Sequence, residues 1–151
     1  MDASSYFYSA QLAEISGNGT QCPPAGAFAQ HLDAWRWVAN PISAQCFAPV
    51  AERNPPRLLK ETDAGKQCSC WALSMFVSQE QGIAYLQRLE KSMKMIRKRL
   101  GDHIAHVSIT PNDGVCTKAD RQGHFDLHPY AAASLVARVK TISPIPSSAT
   151  P

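Results

Sequence analysis

The residues best equipped for chemistry crowd into Gly101–Tyr130, which holds four of the chain's five histidines. Near its end, His124, Asp126 and His128 alternate with Phe125 and Leu127. On a strand, residues two apart project from one face. The trio would then share a surface with donor types that suit Zn2+ or Fe2+. The outer two side chains would lie roughly 13 Å apart at about 3.3 Å per residue. One ion cannot bridge that span unless the chain bends at Pro129, or His103 or His106 comes across from a neighbouring strand. Without metal, His106, His124, Asp126 and His128 offer acid and base groups for catalysis, provided that they converge. The plainer reading is a solvent-facing polar edge anchored by Phe125 and Leu127.

Two other patterns carry less chemistry. His106 and Ser108 are a base and a hydroxyl two apart, but same-face neighbours on one strand rarely point at each other, and no G-x-S-x-G elbow is present. Cys68-Ser-Cys70 lacks the second cysteine pair of a zinc ribbon and the spacing of a redox C-x-x-C, which favours small buried apolar side chains.

Charge supplies a different candidate. The net charge of +3 conceals an uneven distribution: Arg88 to Arg99 carries six basic residues and one acid. The remainder has nine basic and eleven acidic residues, a balance of −2. Lys91, Lys94, Met95 and Lys98 form a cationic face with an apolar member, which suits contact with a protein, an RNA or a phosphate. No nucleic-acid motif accompanies it.

The elements that must position these residues follow from local pattern. Ser78 and Gln81 match a capping box. Tyr85, Leu86, Leu89, Met93, Ile96 and Leu100 then form one apolar stripe, and Gly101 is placed to terminate it. One helix of about 33 Å is expected from Ser78 to Leu100 at 1.5 Å per residue. Cys68 to Val77 reads as a buried strand; Ile104–Ile109, His124–His128 and Val139–Ile142 read as strands, and Val115–Thr117 as a short strand or an extended arm. Tyr6–Ile15 is amphipathic. Ala25–Val38 reads as a short helix through Phe28, Leu32 and Trp35, ended before Pro41. Pro129–Val136 is expected to be helical. Residues 1–60 are Pro-rich and otherwise irregular, and 143–151 reads as a flexible tail.

The expectation is a single α+β domain over 1–142: a small mixed or antiparallel sheet packed on one long amphipathic helix. The composition is that of a globular chain without a membrane span or a secretory leader. Five irregularly spaced cysteines suggest mostly free thiols in a reducing cytoplasm. Ser74-Met-Phe-Val-Ser78, followed by a long helix and a His-bearing strand, resembles the core layout of small ADP-ribosyltransferase-like domains over about half the chain. That resemblance implies a nucleotide held by Arg53 or His106, although Glu90 is the last glutamate of the chain. Size, the basic face and the absence of a complete catalytic motif favour a binding or regulatory protein of the immunity, antitoxin or adaptor kind. Its expected partner is another protein, with nucleic acid or phosphate next and no membrane. An enzyme with a His/Asp-rich site between residues 103 and 128, a hydrolase or nuclease with or without metal or a nucleotide transferase, is the alternative. The sequence names no cofactor.

Overall fold

The computed structural model describes residues 6–147. A six-stranded, wholly antiparallel sheet organises them: β1 (Leu32–Val38), β2 (Leu73–Phe76), β3 (His103–Ile109), β4 (Gly114–Cys116), β5 (His124–Pro129) and β6 (Val139–Pro144), in the spatial order β4-β5-β2-β1-β3-β6. Among the described residues no helix is long and apolar enough to cross a membrane.

Both faces of the sheet are covered, so the central strands are apolar or otherwise satisfied on both sides. Ala34, Val38, Leu73, Met75, Ala105, Val107, Phe125 and Leu127 build the larger core on one face. On the other, α5 (Gln79–Glu90) packs over Trp37, Phe76 and Ile104 through Leu86. Ser78 accepts the Gln81 N–H at 3.2 Å and caps this helix, as its sequence requires. Further along the same face, α1 (Ser9–Gly17) and α4 (Ala64–Cys70) enclose a third cluster of Tyr8, Leu12, Ile15, Cys22 and Cys68.

Central strand β1 replaces the helix expected over Ala25–Val38. Phe28 falls off the supposed stripe, being 58% exposed, whereas Asp33, Trp35 and Trp37 alternate with Ala34, Arg36 and Val38 at period two. Arg36 is buried on the core side. Its Nε donates to the Cys46 carbonyl at 2.9 Å, Nη1 to Ser74 O at 2.9 Å and Nη2 to Ala48 O at 3.2 Å. Burial, then the nearby Arg53 charge, lowers its pKa to about 10, which leaves it charged at neutral pH.

The single long helix is also corrected. It stops at Glu90 and resumes as α6 (Ile96–Leu100) after an exposed segment, Lys91–Met95. Lysines and arginines recur there at three- and four-residue spacings, where like charges weaken a helix. The break also lets Arg97 fork onto Glu90 at 2.6 and 2.9 Å, although seven residues of continuous helix would separate them by about 10.5 Å of rise. Gly101 ends α6 at φ +101°, with no room for a β-carbon against the Val38 carbonyl. The ADP-ribosyltransferase-like layout therefore lacks its long helix.

Smaller corrections arise where caps, turns and side-chain bonds override local pattern. Asp63 accepts the Lys66 N–H at 3.0 Å and starts α4, so only Leu73–Phe76 of the expected Cys68–Val77 strand is extended. Residues 50–60, expected to be irregular, form α2 (Val50–Arg53) and α3 (Pro55–Lys60), the latter with proline at its first positions. Within Pro129–Val136, expected to be helical, Pro129 closes β5, Ala133 N–H turns back to Tyr130 O at 3.1 Å, and a 3-10 turn covers only Val136–Arg138. The expected tail begins inside β6: Ile145 is buried, and Arg97 donates to the Ile145 and Pro146 carbonyls, each at 2.7 Å. Residues 148–151 lie outside the described residues.

Replacing Arg36 by methionine keeps the stem but strips three buried carbonyls of their donor. It should lower unfolding free energy by on the order of 3 kcal/mol. A denaturant midpoint equal to that of the parent would contradict this.

Candidate functional site

The sheet register sorts the histidines. His124, Phe76, Trp35 and His106 stand opposite one another in a single row across β5, β2, β1 and β3. Three strand spacings of about 4.8 Å put His124 and His106 about 14 Å apart. His128, four residues along β5, is about 13 Å from His124. The four candidate catalytic residues thus occupy separate surroundings on one sheet face, and only His124 and Asp126 are neighbours.

His106 stacks on Trp35, with centroids 4.7 Å apart and planes within 10°, and its Nε2 meets Asp33 Oδ1 at 2.9 Å. His103 meets the adjoining Asp102 at 2.7 Å, and that hydrogen bond holds the Asp102 carboxyl below its ordinary range.

His124 has the richest polar company. Its Nε2 lies 3.0 Å from Ser74 Oγ and 3.9 Å from Asp126 Oδ1, while Nδ1 lies 3.9 Å from Asp120 Oδ2. Asp120 Oδ1 shapes the preceding turn by accepting the Gln122 and His124 N–H groups at 2.8 and 3.0 Å. Gly123, at φ +76°, lies against the Gln81 side chain, so the cap of α5 also sets the turn that delivers His124. Burial raises the Asp126 pKa, opposed by a hydrogen bond from Ser69 and the charge of His124. This serine–histidine pair can share a proton, but the carboxylate at Nδ1 stands beyond hydrogen-bond reach. The sequence offers Ser108, beside His106, as a hydroxyl and argues against it; strand pairing brings a different serine, Ser74, to the His124 imidazole. Only cross-strand register reveals that pairing.

His128 is 1% exposed, and burial lowers its pKa to about 4. Its Nε2 lies 3.9 Å from Cys68 Sγ, and Nδ1 has no hydrogen-bond partner. Cys68 is joined to Cys22 in a disulfide with a sequence separation of 46, an exception to the expectation of mostly free thiols. Cys46, Cys70 and Cys116 are free and buried. Burial pushes the Cys116 thiol up to about 11 and raises that of Cys70.

The basic segment forms the other candidate. A cleft of about 500 Å³ is lined by Asn54, Pro56, Arg57, Lys60, Glu61 and Arg99. A second, of about 240 Å³, is lined by Met93, Lys94, Met95, Ile96 and Arg99. The two meet at Arg99. Arg53 ties the α2 side to α6 by donating to the Arg99 carbonyl. Lys94 and Met95 therefore come together; Lys91, at the end of α5, and Lys98, on α6, are exposed outside the lining. Arg57, Lys60 and Arg99 were missed because their approach depends on the helix break and on α3. Among the described residues, no ion pair engages Arg57, Lys60, Lys94 or Arg99, whereas Arg97 is held by Glu90.

No family model, curated protein or solved structure matches the chain.

Thiol counting checks this arrangement. Unfolded without reductant, the protein should take up three alkyl groups by mass, and five after reduction. Five without reductant would remove the disulfide, and three in the native state would contradict the burial of the free thiols.

Proposed function

We propose that this protein acts by binding, and that its partner is a protein presenting an acidic segment with an apolar anchor. The observation that carries the reading is the junction of two clefts at Arg99. One side supplies Arg57 and Lys60, the other Lys94 with the thioether side chains of Met93 and Met95. Met93 and Met95 are 40% and 55% exposed, which is costly beside water and useful against a partner's apolar side chain. Four cations line the two adjoining clefts against Glu61 alone and repel one another, and a partner carboxylate relieves that repulsion. An adaptor, immunity or antitoxin protein that acts by capture would use a surface of this kind.

The test is capture of an interacting protein with the parent and with an Arg57→Glu, Lys94→Glu, Arg99→Glu variant. Reversal should weaken the complex at least a hundredfold, mainly by slowing association, and added salt should weaken the parent complex in the same direction. Equal capture by both would refute the proposal. A polyphosphate or RNA that displaces no partner would argue that the site reads a protein rather than phosphate.

Hydrolysis is the second reading, and the Ser74–His124 hydrogen bond at 3.0 Å is what favours it. An activated Ser74 should be labelled by a fluorophosphonate ester, and labelling should vanish in His124→Gln. A Ser74 that stays unlabelled removes this reading.

A further inference from the structure

We propose that Cys22, Cys68 and His128 form a Cys2His site for Zn2+ or a similar borderline-soft divalent cation when the Cys22–Cys68 disulfide is reduced. One ligand atom from each of the three lies within 4.8 Å of the others. A tetrahedral zinc with Zn–S near 2.3 Å and Zn–N near 2.0 Å has S···N edges of about 3.5 Å and an S···S edge of about 3.8 Å. Cys68 Sγ and His128 Nε2, at 3.9 Å, already stand close to such an edge. The two sulfurs must part, which breaking their bond allows, and Cys22 Sγ, within 4.8 Å of the imidazole nitrogen, must settle at about the same S···N edge.

His128 supplies the independent observation. It is 1% exposed, points at sulfur and leaves Nδ1 without a partner. A buried imidazole in this condition loses its hydrogen bonds to water at both nitrogens. Its contact with a disulfide sulfur returns little of that. Ligation would give Nε2, which now faces only that sulfur, a strong partner, and would leave Nδ1 unpaired. The surroundings agree on charge: two thiolates, a neutral imidazole and a divalent cation sum to zero. Tyr8, Leu12, Ile15 and Trp71 pack the same cluster and provide no competing charge.

Three protein ligands leave a fourth position for water. The exchange balances simply. A dithiol reductant passes two electrons and two protons to the disulfide, becomes a disulfide itself, and leaves two cysteine thiols. The cation then displaces both thiol protons. The disulfide ties the segment after α1 to α4, whereas the metal ties both to β5 as well. Reduction would therefore replace a two-point clamp with a three-point one, and the N-terminal helix would stay attached in either redox state.

The experiment is a Co2+ titration of the full chain, reduced with a phosphine and refolded without oxygen, beside the oxidised protein. The reduced form should develop thiolate-to-cobalt charge-transfer absorption saturating at one equivalent, and Zn2+ should bleach it. The oxidised form should develop none. His128→Gln should weaken affinity at least tenfold, while Cys70→Ser, which alters the neighbouring free thiol, should leave it unchanged. X-ray absorption of the zinc-loaded parent should count two sulfur ligands, a readout that needs no variant to fold. Absence of the band in the reduced parent, a sulfur count other than two, or a loss as large in Cys70→Ser as in His128→Gln would each overturn the proposal.

Discussion

A guanidinium can be taken out of water only if its N–H groups find acceptors and its charge finds a favourable field. Arg36 meets the first demand with three carbonyls, of Cys46, Ala48 and Ser74, and no carboxylate. Those acceptors lie on β2 and on the 3-10 turn Ala44–Phe47 with the residue after it. Burying one side chain of β1 therefore pins residues 46–48, after the chain has left the sheet, against β1. The two short helices that follow, α2 and α3, start from that fixed point. Arg53 at the end of α2 reaches the Arg99 carbonyl, and α3 places Arg57 and Lys60 opposite α6. The larger cleft is a downstream consequence of a buried charge at the centre of the sheet.

The same strand separates the two chemistries of the molecule. On its Asp33–Trp35–Trp37 side, Trp35 lies with Phe76 in the row that spreads His106 and His124 across four strands, between the two histidines. Aromatic rings in that row hold the histidines apart and give each its own partner, which favours structure over convergent catalysis. The cationic groups behave in the opposite way. They are concentrated by the helix break, they are exposed, and among the described residues no ion pair engages Arg57, Lys60, Lys94 or Arg99. Polar groups already satisfied internally have little to offer a ligand, whereas unpaired cations beside exposed methionines have a great deal.

The legible and illegible parts of this fold divide by the range of the interactions that set them. β3, β5 and β6 follow from period-two patterning, and the cap at Ser78 with the stop at Gly101 follows from chemistry within four residues. The break after Glu90 does not, because it depends on Arg97 reaching Glu90 and the carbonyls of Ile145 and Pro146. β1 was obscured by a Phe28–Leu32–Trp35 spacing that imitates a helix; its true alternation is disguised because an arginine occupies a core position. At the sites, Lys94 and Met95 were readable from composition. Ser74 beside His124, Cys22 beside Cys68, and Arg57 beside Arg99 join residues between 42 and 50 positions apart, and no local pattern carries such pairings.

The central claim is that the molecule meets its partner at the Arg99 junction rather than on the histidine-bearing sheet face. Hydrogen–deuterium exchange of the full chain, free and with its captured partner, addresses this most directly. The account predicts that protection on binding is confined to residues 53–61 and 91–100, with exchange at 33–35, 106–108 and 120–126 unchanged. Protection centred on the Ser74–His124 region, with the basic segment unaffected, would contradict it.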